Sequence, residues 1–126
     1  MDQKFFRCDI CGNLVGMIHS SGVPLVCCGQ EMTELEGNTT DASVEKHVPA
    51  VTVDGNEVTV TIGEVEHPML PEHFIEWVYV KTPTGGHRRE LKPNGEPVAK
   101  FMLTPDETAE TVFAYCNLHG LWMTEL

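Results

Sequence analysis

The chain has 126 residues, 41% of them hydrophobic and 21% charged, a composition typical of a folded globular protein rather than a disordered or fibrous one. Its formal net charge of −11 argues against nucleic acid or an anionic membrane surface as partner, because both need a basic footprint. No apolar run approaches the roughly 20 residues that span a bilayer, and the N-terminus does not resemble a secretory signal. We therefore expect a cytoplasmic protein with no membrane partner.

Residues 1–36 are interpreted as a small first unit. Glycines at turn positions separate three short predicted strands: Lys4–Arg7, Asn13–Ile18 and Val23–Val26. A segment this short buries little apolar area and is marginal without a staple such as a metal ion. Residues 37–43 are polar, and we interpret them as a linker.

Residues 44–126 are interpreted as a second unit of consecutive strands. Asp54-Gly55-Asn56 is a hairpin signal, and the alternation that follows it predicts a core face at Val58, Val60 and Ile62. About seven short strands with prolines between them predict an all-β fold of the sandwich type. The predicted strands cover residues 48–53, 57–62, 74–82, 87–91, 98–103, 108–116 and 121–126.

Five cysteines in a reducing compartment favour metal ligation over disulfides, because the number is odd. Four of them lie in the first unit: Cys8, Cys11, Cys27 and Cys28. Four thiolates suit a tetrahedral site that holds zinc or a single iron, and a purely structural zinc site is the open alternative. Side chains of successive strand residues point in opposite directions, so Cys27 and Cys28 can share a metal only if the backbone twists there. We expect a distorted tetrahedron.

The fifth cysteine belongs to a second candidate site in which histidines predominate. Its predicted members are His47, His67, His73, Cys116 and His119. This set exceeds what structural zinc uses. It suits an iron with four nitrogens in a plane, an axial sulfur and an open opposite position. His19 and His87 have no evident partner in the sequence, and we expect both at the surface.

Two charged residues precede the first of these histidines. Lys46 is the local cation that an acidic protein would need to attract a small anion, and Glu45 could occupy the open position of an oxidised iron. The alternative is an ordinary exposed charge pair.

The chain resembles desulfoferrodoxin, the two-iron class of superoxide reductase, over essentially its whole length. The one-iron class is disfavoured because all four N-terminal cysteines are present. The matching motifs are Cys8-x-x-Cys11 with Cys27-Cys28, Glu45-Lys46-His47-Val48-Pro49, His67-Pro68-Met69, His73 with Ile75-Glu76-Trp77, and Cys116-Asn117-Leu118-His119-Gly120.

The resemblance implies a desulforedoxin-like domain over residues 1–36 with a rubredoxin-type iron, and an immunoglobulin-like sandwich over residues 44–126 with the catalytic iron. It implies that superoxide takes one electron and two protons and leaves as hydrogen peroxide, without release of dioxygen. Lys46 would attract the anion or assist protonation, and Glu45 would ligate the ferric iron. Rubredoxin or a similar donor would re-reduce the catalytic iron. The chain would form a homodimer.

Two other functions fit parts of the pattern. Cys116, His119 and Met123 on a β-sandwich could form a blue-copper site for electron transfer, which leaves two histidines and the Glu-Lys pair unexplained. A non-enzymatic zinc module explains only the four-cysteine unit.

Overall fold

The structure is a computed structural model that describes residues 2–40, 42–63 and 65–126. The chain divides into two compact units, Met1–Glu36 and Gly37–Leu126. Apart from one helical turn in the second unit, the regular secondary structure of the described residues is strand, which confirms the all-β prediction. No helix in the described part of the chain is long and apolar enough to cross a membrane.

The first unit contains five very short strands, β1 to β5. Strand β1 is central in a three-stranded antiparallel sheet of order β2-β1-β5, and β3 and β4 form a separate hairpin. The predicted strand at residues 23–26 is reduced to its last residue, because β3 begins only at Val26. The bounds are β1 Phe5–Arg7, β2 Leu14–Gly16, β3 Val26–Cys27, β4 Gln30–Glu31 and β5 Thr33–Glu34.

The second unit is a sandwich of seven strands in two antiparallel sheets. The sheets have the orders β10-β7-β6 and β12-β11-β8-β9. A single helical turn, α1, precedes the first strand and was not predicted from the sequence. The bounds are α1 Val44–His47, β6 Pro49–Asp54, β7 Glu57–Ile62, β8 Ile75–Thr82, β9 Gly85–Glu90, β10 Val98–Met102, β11 Thr111–Cys116 and β12 Gly120–Glu125.

The core lies between the two sheets and follows the predicted alternation. Val58, Val60 and Ile62 of β7 are fully buried, which confirms the core face predicted for this strand. Strand β11 alternates in the same way, with Val112 and Ala114 in the core cluster and Cys116 at its end. One sheet thus delivers the Cys116 thiol to the end of the core.

Strands β6 and β12 connect the two sheets at one side of the sandwich, where the Thr124 hydroxyl donates to the Pro49 carbonyl at 2.6 Å. The segment interpreted as a linker lies in part against β12. The Asn38 side chain exchanges two hydrogen bonds with the Met123 backbone, at 2.9 and 3.1 Å. These contacts tie residue 38 to the edge of the four-stranded sheet.

His87 differs from its expected place as an unpartnered surface residue. It is half-buried in β9, and its Nε2 lies 2.9 Å from a carboxylate oxygen of Glu107. His19 is exposed, as expected.

Candidate metal centres

The first candidate centre gathers the four cysteines of the N-terminal unit. Their sulfur atoms all lie within 4.8 Å of one another. Cys8 follows β1, and the next turn brings Cys11 back so that its amide approaches the Cys8 sulfur at 3.5 Å. Cys27 ends the short strand β3, and its sulfur is 3.6 Å from that of Cys11. Such a group is the donor set of a tetrahedral thiolate site.

The backbone twists at Cys27 and Cys28, as expected if both side chains are to reach one metal ion. Cys28 has a φ of 53° and Gly29 a φ of 77°, so two successive residues are left-handed. This conformation costs energy for a residue with a side chain. It lets the Cys27 and Cys28 sulfurs lie 4.0 Å apart on the same side of the chain. The strain is therefore located where two neighbouring side chains must reach one point.

The cluster moves the pKa values of Cys8 and Cys28 in opposite directions. Backbone amides of Cys11 and Ile10 hold the pKa of Cys8 at about 6, although desolvation acts against them. Hydrogen bonds with the other thiol groups, first that of Cys11, raise the pKa of Cys28 to about 12. Several thiolates at this spacing repel one another unless a cation lies among them. The cluster fits a bound metal ion.

The second candidate centre lies at the end of β11 in the sandwich unit. The register between β8 and β11 shifts between Tyr115 and Cys116, and such bulges re-aim side chains next to active sites. Ligand atoms of His47, His67, His73 and Cys116 all lie within 4.8 Å of one another. The fifth predicted member, His119, joins them: its Nδ1 is 3.0 Å from His47 Nε2 and 3.9 Å from the Cys116 sulfur.

The four imidazoles form a closed ring. Around it, neighbouring planes meet at 75–85° and neighbouring centroids are 4.6–5.0 Å apart. The rings of His47 and His73 face each other across this circle at 6.4 Å. Four side chains from separate segments thus point their edges at one region. All five residues that the sequence analysis assigned to this site are brought together.

Hydrogen bonds define which nitrogen of two of these rings faces the centre. His47 Nδ1 is 2.6 Å from the Ser43 carbonyl oxygen, and His67 Nδ1 is 2.6 Å from the Pro68 carbonyl oxygen. Each Nδ1 must therefore carry the proton, so each Nε2 presents a lone pair. The two Nε2 atoms are 3.1 Å apart. Two lone pairs repel at this distance, and a metal ion between them would remove the repulsion.

His73 supplies a second test of the fit. Among the described residues, its buried Nε2 atom has no hydrogen-bond partner. A buried polar atom without a partner is costly in a protein interior. A metal ion among the four imidazoles would satisfy it.

Burial keeps these imidazoles in the neutral form that binds metals. It lowers the pKa of His67 to about 4 and also lowers the pKa values of His47 and His73. The positive charge of Lys46 adds a smaller decrease at His47 and His73. Burial raises the pKa of the Cys116 thiol, while the amides of Leu118 and His119 act in the opposite direction. A cation in contact with this thiol would favour its thiolate.

Glu45 and Lys46 are exposed residues of α1, immediately before His47. Their backbone is fixed by the loop after β7, where the Val65 amide donates to the Glu45 carbonyl at 3.0 Å. Gly63 packs against the same peptide. A Cβ on it would lie 2.6 Å from the Lys46 carbonyl carbon and 2.7 Å from the Glu45 oxygen.

The residues that orient the ligands were not predicted from the sequence. Trp122 is fully buried, stacks on the His47 ring at 4.8 Å and donates its Nε1–H to the His119 carbonyl at 3.1 Å. Asn117 contacts the backbone on both sides of His73. Asn117 lies in the motif Cys116-Asn117-Leu118-His119-Gly120. Its place between two predicted ligands is the feature of the sequence that could have identified it. The carbonyls of Ser43 and Pro68 could not be predicted from the sequence, because every residue carries a backbone carbonyl.

Comparison with known proteins places both units in one family. Residues 2–35 match the family model "Desulfoferrodoxin, N-terminal domain", and residues 39–125 match the model "Desulfoferrodoxin". A desulfoferrodoxin homolog of Archaeoglobus fulgidus is 45% identical over 122 residues, which cover 97% of this chain and 96% of the relative. A desulfoferrodoxin of Syntrophotalea carbinolica is 41% identical over 122 residues, covering 97% and 95%.

A solved structure agrees in fold over the full length. The crystal structure of the superoxide reductase from Treponema pallidum has a TM-score of 0.84 and 38% identity, covering 99% of this chain and 100% of that one. The two matched domains imply two iron sites, and the four-cysteine cluster and the His/Cys group supply donor sets that fit them. The chain belongs to the desulfoferrodoxin family, whose N-terminal and main domains it carries in that order.

Proposed function

We propose that this chain is a superoxide reductase. It is an oxidoreductase that transfers one electron to superoxide, which takes up two protons and leaves as hydrogen peroxide. The observation that carries this proposal is the closed ring of four imidazoles with a thiol beside it, in a chain whose fold matches a superoxide reductase structure.

Each iron would be held by residues of one unit. The catalytic iron, when bound in the ferrous state, supplies the electron and a coordination position for the substrate. The first iron would bind Cys8, Cys11, Cys27 and Cys28, and the catalytic iron would bind His47, His67, His73, His119 and Cys116. Support comes from the clustering of these ligand atoms and from the orphaned Nε2 of His73.

Lys46 would attract the superoxide anion to the site. The chain is strongly acidic, so a local cation is needed where an anion must approach. The influence of its charge on the pKa values of His47 and His73, although smaller than that of burial, supports this placement. Because its ammonium is a proton donor, it would also assist proton delivery through water. Glu45, beside it, would ligate the ferric iron through its carboxylate.

The cellular setting and the partners are part of the same proposal. Rubredoxin or a similar small electron donor would re-reduce the catalytic iron. The chain would work in the cytoplasm, which suits five free thiols. It would form a homodimer, because the first unit exposes Ile10, Ile18, Val23 and Val26 by 62–95%. Light scattering on the purified chain tests the dimer.

The experiment that tests the function combines metal analysis with a pulse of superoxide on the reduced protein. We expect two irons per chain, consumption of superoxide and no release of dioxygen. His67→Ala should abolish the reaction, and His87→Ala, a histidine outside the site, should leave it intact. One copper with an intense blue band, two zinc ions without iron, or evolution of dioxygen would each contradict the proposal.

A further inference from the structure

Asn117 connects two of the segments that carry the His/Cys site. It follows Cys116, and its side-chain amide reaches across to the loop before β8. Its Oδ1 accepts the amide hydrogen of Phe74 at 2.9 Å, and its Nδ2 donates to the carbonyl of Glu72 at 3.0 Å. The Asn117 amide also donates to the Phe74 carbonyl, at 3.2 Å. One side chain therefore holds the backbone immediately before and immediately after His73.

His73 depends on its backbone more than His47 and His67 do. The rings of His47 and His67 are oriented by carbonyl oxygens at 2.6 Å, and His119 has its carbonyl fixed by Trp122. Among the described residues, no hydrogen bond holds the His73 Nε2 atom. The His73 backbone is paired with Leu70 through two hydrogen bonds of 2.9 and 3.0 Å. This pairing fixes the loop to itself but does not attach it to the strand that carries Cys116.

We infer that Asn117 is a positioning residue for His73, which it holds at a fixed distance from the Cys116 thiol. The inference rests on the proposed iron site. The side-chain amide of Asn117 bonds the residues before and after His73, and Asn117 itself follows Cys116. The two ligands are therefore joined through one set of hydrogen bonds. A ligand positioned through its backbone moves when that backbone is released.

The expected effect is larger on metal retention than on folding. Asn117 is half-buried, so water can replace part of its hydrogen bonding in a variant. Loss of groups that orient metal ligands typically lowers metal affinity by about 10- to 100-fold. We therefore expect the iron of the His/Cys site to dissociate about 10- to 100-fold faster in Asn117→Ala.

The test uses the full-length, iron-loaded protein and an excess of a ferrous chelator. The rate of iron loss from the His/Cys site is followed for the parent chain, Asn117→Ala and Asn117→Asp. The aspartate retains an acceptor for the Phe74 amide but places a carboxylate oxygen against the Glu72 carbonyl oxygen, so this variant should also lose iron faster than the parent. The four-cysteine iron of the same molecule is the internal control, and its rate should not change.

Asn38→Gly is the matched control variant. Asn38 also makes two side-chain hydrogen bonds to backbone, both with Met123, and glycine tolerates its φ of 64°. It should retain iron like the parent. The electron paramagnetic resonance spectrum of the ferric His/Cys site should change in Asn117→Ala and not in Asn38→Gly, because only the first variant alters the position of a ligand.

Parent-like rates and spectra in both Asn117 variants would overturn the inference and leave the proposed function intact. Equal acceleration in Asn38→Gly would also overturn it, since general destabilisation would then explain the loss. If the parent chain retains no iron at the His/Cys site, the proposed function fails and this inference fails with it.

Discussion

Gly63 offers a direct test of how tightly the Glu45–Lys46 segment is fixed. Its φ is +83°, and a Cβ at this position would lie 2.5 Å from the Val65 carbonyl oxygen and 2.6 Å from the Lys46 carbonyl carbon. Ordinary contact begins near 3.4 Å, so in Gly63→Ala these backbone atoms must move apart by about 0.9 Å. The displaced peptide is adjacent to His47.

Gly55→Ala is the control that separates backbone strain from this contact. Gly55 has a φ of +60°, and a Cβ on it would meet no atom within 4 Å. Both variants cost about 1–2 kcal/mol for a left-handed residue with a side chain. Overpacking adds about 1–3 kcal/mol, which we expect only for Gly63→Ala. Both tryptophans lie in the sandwich unit, so urea unfolding followed by their fluorescence reports on this unit alone.

The same pair of variants tests the function of the segment. A displacement of about 1 Å near a reacting centre can slow a reaction by about 100-fold, so Gly63→Ala should react with superoxide about 10- to 100-fold more slowly than Gly55→Ala. The assay is a pulse of superoxide on the reduced, iron-loaded proteins. Equal stability and equal rates in the two variants would show that the segment adapts freely, and would refute this reasoning.

Three further predictions concern charge, independence of the two centres and pH. Lys46→Ala should slow the reaction with superoxide and weaken its dependence on ionic strength, with iron content unchanged, while Lys100→Ala, which removes an exposed lysine of β10, should not. A parent-like Lys46→Ala would remove the steering role. Cys28→Ser should alter only the absorption of the first iron, and loss of superoxide reduction by the pre-reduced variant would disprove independence. The backbone amide of Thr104, followed by His87, lowers the pKa of Glu107 from 4.5 to about 2. Between pH 4.5 and about 2 the Glu107 carboxylate therefore stays ionised in the folded state and becomes protonated in the unfolded state. The stabilisation is present above pH 4.5 and lost as pH falls towards 2. The difference in unfolding free energy between the parent and Glu107→Gln should shrink over this range, and a constant difference would refute the assignment.

The strands that could be predicted accurately are those in which every second side chain is buried. Strand β7 has the predicted bounds, because the alternation of Val58, Val60 and Ile62 faces one core. The helical turn α1 was missed, since four residues that begin with a β-branched valine and precede a proline do not show a helical period. The strands of the first unit are shorter than predicted, and β3 and β4 contain two residues each. In this unit the backbone turns where the four cysteine sulfur atoms come together, and an apolar period in the sequence does not mark these turns.

The candidate ligands could be predicted because their chemistry resides in side-chain type. Their orientation could not, because it depends on groups that every residue carries. The carbonyls of Ser43 and Pro68 decide which nitrogen of His47 and His67 faces the centre. The register shift before Cys116 is likewise a property of backbone pairing and not of composition.

This division between ligand identity and ligand orientation follows from how the His/Cys site is assembled. Its members come from a helical turn, the segment between β7 and β8, the end of β11 and the turn that follows it, and they meet where the chain leaves the sheets. The packed sheets fix the position of Cys116, whereas His67 and His73 lie on segments with little regular structure. Such segments keep a defined shape only through individual hydrogen bonds, and here these bonds come from the Pro68 carbonyl and the Asn117 amide. Substitutions of the orienting groups should therefore affect metal binding more than folding, whereas substitutions in the core of the sandwich should do the reverse.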